Sequence, residues 1–332
     1  MPEIVQWLDI EDDFEHGLLL GNGASVAVHE GFSYTSLYSA ATNRGYITPP
    51  VKKIFDSFET EDFEFVLRML WQAKLVNDAL EIKGDGVDQA YQEVRSALIA
   101  TIRAVHINYE DCIWDLEHIY PFMQRFDTVI SLNYDLIVYW AAMLGNGSLG
   151  LWFKDCFNKG VFREDWSEVR EPFGRAKGAT LFFYPHGSLV LARRKLDTER
   201  KMAAGDNTNL LEAIFNNWKS GNNVPIFVCE GNSERKKNAI SQTGYLQRVY
   251  REVFPEIGES LVVYGWSFSD QDKHILSRLR PSISKIKRVA VSIYNNDQNF
   301  AQKIEDKLTG IGIKDVFFFD AASTGCWNNP KG

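Results

Sequence analysis

The sequence predicts a doubly wound, Rossmann-like α/β fold with a mainly parallel sheet, and three observations carry that expectation. Seven short apolar runs rich in β-branched and aromatic residues lack strict alternation, which suits strands covered on both faces. From Val224 onward each run is followed by a helical stretch, the rhythm of a doubly wound sheet. The runs end in glycine or polar residues, and the carboxyl ends of strands are where open α/β sheets hold ligands.

In order, the runs are residues 17–20, 128–132, 179–184, 224–229, 261–264, 288–294 and 316–319. Between the first two, residues 50–125 read as an inserted helical module. Thr60 is expected to cap a helix with an acidic first turn, Glu61 and Asp62. Phe63, Val66, Leu67, Leu70, Ala73 and Leu80 then follow a period near 3.6. Lys83-Gly84-Asp85-Gly86 breaks the pattern, and Val87, Tyr91, Val94, Leu98, Ile102 and Val105 mark a second helix. Residues 145–178, rich in Gly, Trp and Phe, form an irregular insert. The expectation is one domain over residues 1–332 carrying both inserts.

The 332 residues carry a formal charge of −8. That balance argues against a chain built to grip nucleic acid, which needs a basic footprint. Ala192-Arg193-Arg194-Lys195 and Arg200-Lys201 read more simply as a solvated edge. Cys112, Cys156, Cys229 and Cys326 form no C-x-x-C pair, which fits free thiols in a reducing cytosol. No basic region precedes an apolar run at the N-terminus, and no stretch approaches the ~20 apolar residues of a membrane helix. The expected location is cytoplasmic, with no membrane partner.

Six strand ends carry candidate chemistry. Gly21-Asn22-Gly23-Ala24-Ser25 is a glycine turn where backbone can approach a phosphate, or a turn with no ligand. Asn133 and Asp135 in Ser131-Leu132-Asn133-Tyr134-Asp135 offer fixed polar groups, Asp135 also as a helix cap. His186 in Tyr184-Pro185-His186-Gly187-Ser188 suits proton transfer near neutral pH, or a structural hydrogen bond. Gly231-Asn232-Ser233 opens a second phosphate-approach point, with Ser233 as cap. Asp270 and His274, one helical turn apart after Gly265-Trp266, make two metal ligands or a cap and a surface histidine. Tyr294-Asn295-Asn296-Asp297 ends the sixth run.

These motifs, in this order, resemble sirtuin-like (silent-information-regulator-type) domains, over about Gly17 to Phe319. More narrowly the chain resembles bacterial antiviral-defence proteins of that type, which hydrolyse NAD+. The resemblance implies that Gly21, Asn22, Gly23 and Ser25 line the pyrophosphate and nicotinamide-ribose side. It implies that Asn133 lies beside that ribose, that Asp135 contacts the carboxamide and that His186 is the catalytic histidine. Gly231 and Ser233 would meet the phosphates and adenosine ribose, and Asn295 that ribose or the adenine.

Two departures separate the chain from the deacylases of that group. It lacks the paired cysteines of their zinc module, and Phe32-Ser33-Tyr34-Thr35-Ser36-Leu37-Tyr38 stands where they carry Ile-Pro-Asp-Phe-Arg. The resemblance therefore implies an NAD+ glycohydrolase, with NAD as substrate and no metal. The activity would be gated by an activating partner protein or by homo-oligomerisation. Aromatics around Trp152, Phe153 and Trp166 are either such a contact surface or core. The alternative is a catalytically silent NAD or ADP-ribose sensor acting through a partner.

Overall fold

The computed structural model describes residues 1–33, 36–194, 199–202, 209–220, 223–228 and 231–331. Tyr34, Thr35, Lys195, Cys229 and Glu230, each part of a stretch singled out above, lie outside the described residues. The strands are β1 (Ile4–Val5), β2 (Gly17–Leu20), β3 (Thr128–Ser131), β4 (Phe153–Lys154), β5 (Phe157–Asn158), β6 (Val161–Phe162) and β7 (Thr180–Phe183). They continue as β8 (Gly187–Arg194), β9 (Glu199–Lys201), β10 (Asn223–Phe227), β11 (Ser260–Tyr264), β12 (Arg288–Ile293) and β13 (Asp315–Asp320).

Eight strands form one sheet in the order β1-β13-β12-β11-β2-β3-β7-β4, and every pairing within it is parallel. All residues of β2, β3, β7 and β11 are buried. That burial is why their sequences run apolar without alternation. The fold is thus α/β and Rossmann-like, as the sequence predicts. From β2 the chain builds outward through β3 and β7, then returns to place β11 on β2's other side. The direction of winding reverses between β2 and β11, so a crevice opens outside their carboxyl ends.

One run departs from the expected sheet. Residues 223–227 form β10, which pairs antiparallel with β8 in a separate sheet of three, β10-β8-β9. An apolar run buried by any two layers reads alike in sequence, so periodicity alone does not assign it to a sheet. β8 itself, beginning one residue after His186, is a strand the sequence reading did not anticipate. The short edge strands β1 and β4 and the β5–β6 hairpin were not anticipated either.

Between β2 and β3 the described residues form helices and no strand: α1 (Asn22–Val28), α2 (Leu37–Asn43), α3 (Pro49–Ser57), α4 (Phe63–Ala79), α5 (Asp85–Val105) and α6 (Ile113–Gln124). The cap of α4 is Asp62, whose Oδ1 accepts from Phe65 N–H at 3.1 Å, rather than Thr60. The module is tied to the helix that precedes β10 through buried Arg95 of α5, which donates to the Trp218 carbonyl at 2.7 Å. Later helices are α7 (Ile137–Leu149), α8 (Leu210–Lys219), α9 (Ser233–Ser241), α10 (Gly244–Arg248), α11 (Lys273–Arg278) and α12 (Gln298–Gly310). Among the described residues, no helix is long and apolar enough to cross a membrane. In the irregular insert Phe153 and Trp166 are buried and Trp152 is half-buried, donating to Thr180 Oγ1 at 3.0 Å. Phe153 and Trp166 thus belong to the core, and Trp152 packs against it.

Candidate active site

Parallel register brings the strand ends level, since Leu20 pairs with both Ser131 and Tyr264. Gly21, Leu132 and Gly265 therefore leave the sheet side by side. Gly21 N–H donates to Tyr264 O at 2.9 Å, and Gly23 N–H to Gly265 O at 2.7 Å. A Cβ on Gly21 would lie 2.4 Å from Trp266 Cα, and Gly265 holds φ +68°. The glycines thus let two strand-end loops touch, and their own amides are spent on that contact rather than left for a phosphate.

Above these ends lies a cavity of about 970 Å³, a size suited to a small-molecule site. Its walls include Gly21, Asn22, Gly23, Asn133, Asp135 and His186.

One wall is a directed chain of hydrogen bonds. Asn133 Nδ2 donates to Gly21 O at 2.9 Å and to Ser25 Oγ at 2.8 Å. Ser25 in turn donates to Asp135 Oδ2 at 2.5 Å, and Ile137 N–H donates to Asp135 Oδ1 at 3.0 Å. Asp135 thus satisfies the first N–H of α7, although the residue at the N-cap position is Leu136. Both Asn133 amide protons are used, while its Oδ1 takes no donor among the described residues and remains to offer a ligand. Behind this wall His106 Nδ1 lies 2.7 Å from the Ile107 carbonyl, which only accepts. Its Nε2 is then unprotonated and accepts from Leu136 N–H at 3.1 Å. Burial lowers the His106 pKa and raises that of Asp135, each against the pull of the other.

A second wall is charged. His186 is set by the turn in which Gly187 N–H donates to Tyr184 O at 3.0 Å, and by Val228 N–H donating to its carbonyl at 2.6 Å. Gly187 holds φ +80°, and a Cβ there would sit 2.2 Å from the Ile226 carbonyl. His186 Nε2 lies 2.9 Å from His274 Nε2, and His274 Nδ1 lies 3.1 Å from Ser233 Oγ. Beside them Lys236 Nζ pairs with Asp272 Oδ1 at 2.9 Å, and Trp266 Nε1 donates to Asp272 Oδ2 at 3.2 Å.

Burial, then Lys236, pushes His186 down to about 3, and burial pushes His274 down to about 4. Burial alone would raise Asp272, but His186, Lys236 and the Trp266 hydrogen bond outweigh it and hold it low. At neutral pH this wall holds two neutral imidazoles, a carboxylate and an ammonium. His186, Asp272 and His274 also bring three possible metal-ligand atoms within 4.8 Å of one another.

Of the residues singled out from sequence, Gly21, Asn22, Gly23, Asn133, Asp135 and His186 line the cavity, and Ser25 stands directly behind Asn133. Ser233 binds His274 instead of capping α9, whose cap is Asn232 through Arg235 N–H at 2.9 Å. Gly231, with φ +96°, and exposed Asn295, with φ +52°, are not among the lining residues. From the last motif Tyr294 and Asp297 line the cavity instead. Asp270 is exposed and paired with Lys273, so the partner of His274 within its own motif is Asp272. His274 is buried, not a surface histidine. Lys236, Trp266 and Asp272 were given no role from sequence, and lone His106 carried no sequence signal.

A second cavity of about 720 Å³ lies among Arg68, Met69, Gln72, Arg193, Glu199, Gln242 and Gly244. Its arginines are engaged: Arg68 donates to Gln242 Oε1 at 2.7 Å, and Arg193 to Thr243 Oγ1 at 3.1 Å. It includes none of the central strand ends. The first cavity therefore has the stronger claim to be the functional site.

A family model described as "Domain of unknown function (DUF4917)" matches residues 18–327. The chain belongs to this family. The match takes in every cavity residue named above. No curated protein matches the chain.

Proposed function

We propose that the protein is an NAD+ glycohydrolase that cleaves the nicotinamide–ribose bond with water, giving nicotinamide, ADP-ribose and a proton. The observation that carries this reading is the meeting of Asn133 and His186 in one cavity at the switch point of a doubly wound sheet. The resemblance of the strand-end motifs to sirtuin-like NAD+ hydrolases supports it. In this reading Asn133 Oδ1 accepts from a ribose hydroxyl or orients the attacking water. His186 takes the proton that water loses on adding to ribose C1.

The transition state is oxocarbenium-like, and nicotinamide leaves as a neutral base, so no strong acid is needed. What the site supplies is position and a group to take the proton. Asp135 stands where the carboxamide would lie, with both its oxygens already holding protein donors. A place in antiviral defence, gating by a partner and assembly into oligomers belong to the same proposal through the resemblance alone.

The test is to incubate purified protein with NAD+ and follow nicotinamide and ADP-ribose by chromatography, with Asn133→Ala as control. Release that the substitution abolishes supports the hydrolase. Binding of ADP-ribose without release of nicotinamide turns the reading to the sensor, and neither release nor binding overturns both.

A further inference from the structure

We propose that His186, His274 and Asp272 form a binding site for one divalent transition-metal ion of the Zn²⁺ type, open toward the cavity. The inference goes beyond the hydrolase reading and does not rest on it, because binding is read with no nucleotide present.

The two imidazole Nε2 atoms lie 2.9 Å apart. The His186 ring also hydrogen-bonds the Leu132 carbonyl, and the His274 ring the Gln271 carbonyl. A carbonyl only accepts, so each ring gives it a proton. With each Nε2 turned to the other ring, that proton sits on Nδ1. Each Nε2 is left with a bare lone pair, and the two lone pairs point at one another. Such an arrangement calls for a cation between them. Asp272 decides which kind, since its carboxylate brings a third ligand atom within 4.8 Å of both nitrogens. Two imidazole nitrogens and a carboxylate oxygen suit Zn²⁺ and its neighbours, whereas Mg²⁺ and Ca²⁺ take oxygen ligands.

The groups around these three residues are those that orient metal ligands. Backbone carbonyls on the far nitrogens of ligating histidines fix their tautomer and ring direction. Lys236 Nζ and Trp266 Nε1 hold the two oxygens of Asp272 at 2.9 and 3.2 Å, and each oxygen keeps a lone pair for an ion. His274 is anchored further by its N–H on Ser233 Oγ at 2.9 Å and by its carbonyl, which accepts from Tyr250 OH at 3.0 Å. Bonds of ~2.0–2.1 Å in a tetrahedral site set the nitrogens ~3.3 Å apart, so the rings part by only a few tenths of an ångström. The Asp272 oxygen closes in by at most about 1.5 Å, which a side-chain rotation covers. Three protein ligands leave the fourth position to water or to an oxygen of whatever fills the cavity. The ion takes the Nε2 lone pair that His186 would use on a proton, so ion and proton compete for one ring.

The test is to strip the purified full chain with a chelator, titrate it with Zn²⁺ by calorimetry, and load it with Co²⁺ as a visible-absorbing probe of geometry. The expected result is one Zn²⁺ per chain, a four-coordinate Co²⁺ spectrum, and an unfolding temperature that rises with added Zn²⁺. Asp272→Asn and His274→Gln should each weaken Zn²⁺ binding by more than about 10²-fold, the upper end of what a change outside the ligand set costs. His29→Gln, at an exposed histidine, should leave it unchanged. No Zn²⁺ uptake by the stripped wild type overturns the proposal and leaves the ring pair bridged by a proton alone. Binding that neither substitution weakens, or that His29→Gln weakens as much, overturns it too. Thermal unfolding without metal checks that the variants fold. Should they not, the wild-type Co²⁺ spectrum decides: four-coordination supports the site, and the spectrum of hydrated Co²⁺ overturns it.

Discussion

The two walls of the cavity hold polar groups in opposite ways. On the Asn133 wall every hydrogen bond has one possible direction, from Asn133 to Ser25 to Asp135, with His106 behind in a single tautomer. On the His186 wall an ion pair stands beside two histidines whose rings face each other. The first wall is suited to holding a substrate still and the second to moving a proton. Ordinary cores satisfy buried polar groups and stop there. Placing a titratable cluster beside a locked one separates orientation from chemistry.

The difference predicts different responses. Lys236→Met leaves half-buried Asp272 without its cation and should cost about 3 kcal/mol in urea unfolding. The double variant with Asp272→Asn should recover part of that loss. A cost near zero for the single change would show that the ion pair does not hold the second wall. His186→Ala should lower kcat about 10²–10⁴-fold while ADP-ribose binding, followed by calorimetry, is retained. Equal loss of binding and turnover would place His186 with the orienting wall instead. Ser25→Ala removes the link between Asn133 and Asp135 and should cost about 1–3 kcal/mol by the same urea measurement.

The smallest effect concerns pH. The folded pKa values of His186 and His274, about 3 and about 4, lie below the unfolded value of about 6.5. Between these limits the unfolded chain binds more protons, so stability is full above about pH 6.5 and falls as the pH drops toward 4. Asp62 and Glu64, raised by burial to about 6 and about 7, act in the opposite sense over part of that range. The comparison is therefore with His186→Gln, whose urea midpoint should fall less between pH 7 and pH 5 than that of wild type.

Much of the frame was legible because fully buried parallel strands leave continuous apolar runs, and six of the seven runs became central strands. Val224–Phe227 misled because burial between any two layers produces the same run. The Asn133 wall was readable from strand ends, where position along the chain implies position in space. The His186 wall was half readable. Its histidines lie 88 residues apart, and only folding turns Asp272 rather than Asp270 toward them. Lys236 stayed hidden because a lysine in a helix's first turn reads as surface until its carboxylate partner is placed.

The most direct measurement is a crystal structure of the protein with ADP-ribose. The account predicts the ribose between Asn133 Oδ1 and His186, at the carboxyl ends of β2 and β3. Clear density for the nucleotide in the arginine-lined groove at Arg68 and Arg193, with the strand-end cavity empty, would contradict it.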